Sequence, residues 1–233
     1  MAFTLSPVSA SVTAMDDVER LHPTDFHATS GVADWRVLFW GAHAFYRTGS
    51  FAHAAEFVAA IAAAASAVGH EPDVDVRPQG VTIRTFTRAD GALSRKDAEL
   101  AAAISAAAHR LGLEADPSML QVVGIAVAQD AGADTRPFWE AAFGYARIGD
   151  EDLVDPVRRG PHLWFHELTP PRPGRGRTHI DVSVPADQAE KRVQAAVAAG
   201  GRIVDENVAM NSWTIASPDN HKVDIAGWAD LEA

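Results

Sequence analysis

The stretch Gly69-His70-Glu71-Pro72-Asp73-Val74-Asp75-Val76 sets an imidazole beside three carboxylates, at a point where helical spacing gives way to alternation. A histidine there can serve as general acid or base, because its ordinary pKa lies near neutrality. The negative end of the preceding helix dipole favours its protonated form. The same residues can equally do no more than end a surface helix. Further along, Trp139, Trp164, Phe165 and Trp213 offer flat apolar surface. They can line a pocket for a planar ligand, with Trp164 and Trp213 as substrate-binding candidates, or serve as ordinary core. Thr169–Arg177, rich in proline and arginine, reads either as a lid gripping an anionic ligand or as a stiff solvated linker.

The elements that must position these residues are legible from periodicity. From Phe51 to Val68 the larger apolar residues recur at Phe57/Val58, Ile61 and Val68, with alanine filling the stripe, which is helical spacing. Ser50 is the candidate N-cap and Gly69 the C′ residue. Val74 and Val76 then alternate with Asp75 and Arg77, Pro78-Gln79-Gly80 makes a turn, and Val81 and Ile83 continue the alternation: two strands. Ser94-Arg95-Lys96-Asp97 has capping-box form and opens a helix to Leu111-Gly112. Order begins near Asp34-Trp35, so the expected arrangement is α-β-β-α, with both helices on one face of a small sheet. Asp116-Pro117-Ser118 marks a boundary. Beyond it a strand (121–128), a helix (136–143) ended by Gly144 and strand-like material closing at His162–Leu168 form one unit. A strand from His179 to Val184, a helix from Ala186 to Ala199 and strands at Trp213–Ala216 and Lys222–Ala226 repeat it. Two βαβββ units suggest half-sheets enclosing a cleft, where small-molecule sites commonly lie. The expected fold is therefore α+β in two domains, 15–115 and 119–230, after a loose tail over 1–14.

Composition narrows the function class. Among 233 residues, 31 acidic against 20 basic side chains give a net charge of −11, which argues against nucleic acid as a partner. The absence of cysteine excludes disulfides, thiolate metal sites and a cysteine nucleophile. A hydrophobic share of 47% is ample for a core. No segment reads as a signal peptide, and the apolar run Val58–Ala65 is too short to span a membrane, so a cytoplasmic protein without membrane partners is expected.

The segment from Trp35 to Leu111 resembles pterin-4a-carbinolamine dehydratase. The resemblance is carried by the helix Phe51–Val68, the His70-Glu71-Pro72-Asp73 turn, Val81-Thr82-Ile83 and Leu93-Ser94-Arg95-Lys96-Asp97-Ala98-Glu99-Leu100-Ala101. That family removes water from 4a-hydroxy-tetrahydropterin, and it typically has His-His-Pro at the turn and a third histidine after the second strand. By this resemblance His70 matches the first histidine and Pro72 the proline, while Glu71 and Arg88 stand where the other two are expected. Glu71 can donate or accept a proton if burial or a neighbouring carboxylate such as Asp73 raises its pKa. Arg88 can only bind or stabilise charge. The resemblance thus implies a lyase with His70, Glu71 and Arg88 as catalytic residues, Asp73 as a substrate contact and no cofactor for dehydration. Asp97 also matches, with helix capping a sufficient account of it.

The stretch from Met119 to Trp228 is similar to the glyoxalase/bleomycin-resistance (vicinal oxygen chelate) superfamily. Arg136-Pro137-Phe138-Trp139-Glu140, Gly160-Pro161-His162-Leu163-Trp164-Phe165, Thr178-His179-Ile180-Asp181-Val182 and Ser217–Asp224 carry it. Metal-dependent members hold ligands on the first and last strand of each unit. By that resemblance His179 and Asp224 are candidate ligands for a divalent metal in the second unit. In the first unit the matching position is apolar, apparently Val122, with His166 or Glu167 open as its last-strand ligand. The alternatives are a metal-free cleft with His179 hydrogen-bonded in the sheet, or a binding protein that sequesters an aromatic metabolite or drug. A small-molecule ligand, a pterin among the candidates, and a homo-oligomer are the expected partners.

Overall fold

The computed structural model describes residues 20–88, 91–130, 132–148, 152–167, 178–216 and 222–230, with only the backbone of Phe138, Ala141, Ala142 and His179. The tail over 1–14 and the segment 169–177 lie outside the described residues.

A short helix α1 (Pro23–Ala28) precedes a hairpin of β1 (Arg36–Leu38) and β2 (Gly41–Arg47). Then come α2 (Phe51–Val68), β3 (Asp73–Arg77), β4 (Gly80–Thr85), α3 (Arg95–Arg110) and the two-residue β5 (Glu114–Ala115). The first sheet runs β1-β2-β4-β3, antiparallel throughout, with β5 added to β2. The hairpin is absent from the expected α-β-β-α order. Its second strand reads Gly-Ala-His-Ala-Phe-Tyr-Arg and is buried on both faces except at Arg47, so it shows no apolar/polar alternation.

Helix α2 begins and ends where the sequence signals place it. Ser50 accepts the His53 N–H, and Gly69 takes the left-handed conformation with φ 67°. Ala54, Phe57, Ile61 and Ala65 form its buried stripe. By length and composition alone α2 could cross a membrane, with 18 residues and a mean hydropathy of 1.6, which corrects the expectation that no segment qualifies. The alanines give it that hydropathy; Phe57 and Ile61 are committed to the core formed with the sheet and α3. Burial of each is worth about 1.5–3 kcal/mol.

Residues of one strand parity (Val37, Ala42, Ala44, Tyr46, Val81, Ile83) join that core. The other parity places Arg36, His43, Arg84 and Asp73 side by side across four strands. Leu38 and Phe45, on that face, pack with Leu120 and Val122 from the next segment.

Asp116 caps a 3-10 turn over Pro117–Met119, and Arg47 pairs with its carboxylate. The second sheet is built from β6 (Val122–Gln129), α4 (Arg136–Phe143), β7 (Ala146–Ile148), β8 (Asp152–Val154) and β9 (His162–Glu167), then β10 (Thr178–Ser183), α5 (Ala186–Ala198), β11 (Arg202–Asn207), β12 (Ser212–Ala216) and β13 (Lys222–Ala226). Its order is β11-β12-β13-β10-β6-β9-β8-β7. Strands β6/β9 and β10/β13 are parallel, and the two βαβββ units meet at the antiparallel β6–β10 pair. The α+β expectation with paired βαβββ units holds.

The two halves are fastened at Asp230. Its Oδ1 accepts from the Val37 N–H (2.8 Å) and His27 Nε2 (2.7 Å), and its Oδ2 from the Ala186 N–H (3.0 Å). Arg36 adds a forked contact to Asp187, with Nη2 at 2.8 Å and Nε at 3.5 Å. The β1–β2 turn, Phe39-Trp40, inserts aromatic rings between them. Phe39 lies 4.9 Å from the His162 ring and 5.5 Å from Trp228.

Candidate active site and cleft

His70 follows α2 directly, and its Nε2 donates to Asp97 Oδ1 at 2.7 Å. Asp97 is fully buried. Its Oδ1 also accepts from Thr85 Oγ1 (2.5 Å), and its Oδ2 from Ser94 N–H (2.9 Å), Ser94 Oγ (2.8 Å) and Thr87 Oγ1 (3.1 Å). One carboxylate therefore closes the capping box of α3, ties the end of β4 to it and holds the imidazole. Since a carboxylate accepts, Nε2 carries the proton and Nδ1 is the ring nitrogen that Asp97 leaves available. Capping alone is not a sufficient account of Asp97. Its contact to a residue 27 positions earlier has no local sequence signal, although the histidine at a helix end was itself visible.

The remaining dehydratase candidates form a second cluster around Asp73. Its Oδ1 accepts from Arg88 Nη2 at 2.7 Å, and its Oδ2 is bound by Arg84. Burial works to raise the Asp73 pKa, but the hydrogen bonds and charges of Arg84 and Arg88 outweigh it and hold the group below the usual carboxylate range. Arg88 is half exposed and Glu71 is exposed. Glu71 is not buried, and the neighbouring carboxylate Asp73 turns to its two arginines. The structure brings Asp73 and Arg88 together and His70 and Asp97 together, and leaves Glu71 at the surface.

The second sheet encloses a cleft of about 650 Å³. His162 and Trp164 line it from β9, Asp181 from β10 and Asp224 from β13, with Phe39 and Trp40 reaching in from the β1–β2 turn. Trp164 Nε1 donates to Asp181 Oδ2 at 2.6 Å, and its ring lies 4.9 Å from that of His166. Trp164 and His166 share one face, as alternation requires, while Phe165 is buried with Val127, Leu153 and Leu163 on the other.

Trp213 borders the cleft, yet its indole belongs to the cluster beneath α5 with Val193, Ile215 and Ile225, and Nε1 donates to Glu206 Oε1 at 2.8 Å. Its parity matches Ile215, which packs beneath the helix, so the expectation of Trp213 as a substrate contact rests on its place at the cleft border. Sequence reasoning missed Phe39, Trp40, His162 and Asp181, of which only the aromatic pair before Gly41 offered a turn signal.

Two glycines make room for this wall. A Cβ on Gly124 would sit 2.5 Å from the His162 ring, and one on Gly91 2.6 Å from Trp40. Burial lowers the His162 pKa to about 4, with Asp181 opposing, so its imidazole is neutral at pH 7. Trp40 itself holds a left-handed φ of 62°. Its Nε1 and His162 Nδ1 are buried with no hydrogen-bond partner among the described residues.

Of the two metal candidates, the structure describes the side chain of Asp224 but not that of His179. Asp224 Oδ1 accepts from Thr214 Oγ1 at 2.5 Å, and His179 pairs through its backbone with Ala126, its side chain lying outside the described residues. Val122 packs with Leu38 and Phe45 at the junction instead of facing the cleft centre. Among the described residues no group of three or more His, Asp or Glu side chains is arranged to hold a metal ion.

Comparison with known proteins agrees with this division. The family model for pterin 4 alpha carbinolamine dehydratase matches residues 15–107, and that for a glyoxalase-like domain matches residues 124–226. Curated relatives include a putative pterin-4-alpha-carbinolamine dehydratase of Chloroflexus aggregans, 44% identical over 59 residues, which is 25% of this chain and 63% of the relative. Another of the same description, from Roseiflexus castenholzii, is 46% identical over 55 residues, 24% of this chain and 59% of the relative. The chain thus spans less than two thirds of the relatives it matches. It joins a pterin-4a-carbinolamine dehydratase-like region to a glyoxalase-like domain in a single polypeptide.

Proposed function

We propose that the first region is a lyase that dehydrates 4a-hydroxy-tetrahydropterins, with His70 as its acid–base group and Asp97 as the residue that positions it. The His70–Asp97 contact carries this reading. Dehydration breaks the C4a–O bond, forms a C4a=N5 double bond, releases the N5 proton and yields water. Protonated, an imidazole can assist the leaving hydroxyl, and neutral, it can take the N5 proton. Held by Asp97, it is oriented for one such transfer at a time. Arg88 and Asp73 supply a polar wall for the pterin. The deciding experiment is stopped-flow dehydration with wild-type protein and His70→Ala: turnover that survives the substitution refutes the assignment.

A second reading concerns the glyoxalase-like half. Its aromatic cleft, with Trp40 Nε1 and His162 Nδ1 buried and unpartnered, favours binding of a planar small molecule that carries hydrogen-bonding atoms. Quenching of tryptophan fluorescence by free pterins tests it, and quenching unchanged in Trp164→Ala would count against it. The proposal includes a cytoplasmic homo-oligomer, supported by the edge strand β11, whose six residues are all exposed. Light scattering that returned a monomer would refute the oligomer.

A further inference from the structure

A separate cavity of about 770 Å³ lies between the outer face of the first sheet and the segment 154–162 of the second half. Arg84 and Arg158 line it, and with Arg88 they surround the buried Phe86 ring: Arg84 at 4.8 Å, and Arg88 and Arg158 each at 5.1 Å from its centroid. The nearby carboxylates are already engaged. Asp75 holds Arg77, Asp73 is shared by Arg84 and Arg88, and Asp155 accepts the backbone N–H groups of Val157, Arg159 and Gly160 at 3.0 Å each. Arg158 is left over. Its Nη1 is buried with no hydrogen-bond partner among the described residues, and its backbone is held at φ 55°, a conformation that residues with a side chain avoid.

We propose that this cavity binds an oxyanion, the carboxylate or phosphate group of a small molecule, between Arg158 of the second half and Arg84 of the first. A guanidinium with a buried Nη1 that has no acceptor is the chemistry that recognises such a group. The position is conspicuous on a chain with a net charge of −11. Burial, followed by the charges of Arg84 and Arg88, pushes the Arg158 guanidinium below its ordinary pKa, with Asp73 and Asp155 opposing but not outweighing them. An anion seated there would relieve the repulsion and link the two halves. The two sites adjoin, because Asp73 lines this cavity too and Arg88 stacks on the same Phe86 ring; Arg158 takes no part in the lyase reading, so its variants test the anion site separately.

The test is calorimetric titration of the full chain with inorganic phosphate and, separately, malonate, against chloride at matched ionic strength. Saturable binding of one probe beyond the chloride control is expected, and which probe binds separates phosphate from carboxylate recognition. Arg158→Gly accepts the left-handed backbone without strain and should weaken binding about tenfold or more through loss of charge-assisted hydrogen bonds. Arg77→Gln, which alters a guanidinium already paired with Asp75, should leave it unchanged. Should the glycine variant not fold, Arg158→Asn, also tolerant of positive φ, carries the same expectation. Neither probe binding beyond chloride, or wild-type affinity in the Arg158 variant, overturns the proposal.

Discussion

Replacing Asp97 by asparagine separates a helix cap from a residue that positions His70. The carboxylate accepts from the His70 ring, two threonine hydroxyls, the Ser94 hydroxyl and the Ser94 N–H. Asparagine keeps one accepting oxygen and turns the other into a donor. Hydroxyls can rotate away from the new N–H, and His70 can move its proton to Nδ1 so that Nε2 accepts, but the Ser94 backbone N–H cannot reverse its role. The amide therefore settles with its oxygen toward Ser94 and its N–H toward an imidazole held in the opposite tautomer. The charge-assisted bond lost with the carboxylate brings the expected loss to about 1.5–3 kcal/mol. Ser94→Ala, which removes only the cap hydroxyl, should cost about 1 kcal/mol. Urea unfolding followed through Trp35, fully buried with its Nε1 on Ser105, reports the first domain. A double-mutant cycle of Asp97→Asn with His70→Ala should give a coupling of about 1.5 kcal/mol or more. Coupling below about 0.5 kcal/mol, or an Asp97→Asn loss no larger than that of Ser94→Ala, would refute the positioning role.

Acid should weaken the fold before the carboxylates titrate in bulk. Burial, with Arg84 adding to it, lowers His43 to about 3, and burial lowers His162 to about 4. Both lie below the unfolded value near 6.5, so the unfolded chain takes up protons first and stability falls as pH drops from about 6.5 toward 4. For His162 the total is about 3 kcal/mol, and a denaturation midpoint in His162→Gln with the same slope as wild type over that window would contradict it. Gly124→Ala pushes a methyl into the His162 ring, which Phe39 and Trp40 hem in; we expect about 1–3 kcal/mol of destabilisation by overpacking and weaker ligand quenching in the cleft. Asp230→Ala removes the shared acceptor of Val37, His27 and Ala186. Calorimetry should then resolve two unfolding transitions, and a single transition at the wild-type temperature would show that the halves are fastened elsewhere.

Local signals made much of the fold legible. Ser50 and Gly69 bound α2 to the residue, Gly144 ends α4, and alternation located β3 and β4, because each of these features depends on neighbours a few positions away. The strand β2 escaped for a physical reason: a central strand with both faces covered carries no alternation. The candidate site divides along the same line. A histidine at a helix C-terminus was visible, whereas its partner had a complete local explanation as a cap, and nothing near residue 97 points back to residue 70. Trp164 and Trp213 look equivalent in sequence, yet one faces the cleft and the other α5, a difference decided by register across β9–β13. The cleft wall from Phe39 and Trp40 depends on docking of the two halves, which no single-strand pattern encodes.

Stopped-flow dehydration of a 4a-hydroxy-tetrahydropterin, measured against the uncatalysed background, tests the central claim most directly. Positioned acid–base catalysis by His70 predicts an acceleration of about 10²-fold or more, reduced to near background in His70→Ala and strongly diminished in Asp97→Asn under conditions where that variant is folded. No acceleration by the wild-type chain, or acceleration that persists in His70→Ala, would contradict the account.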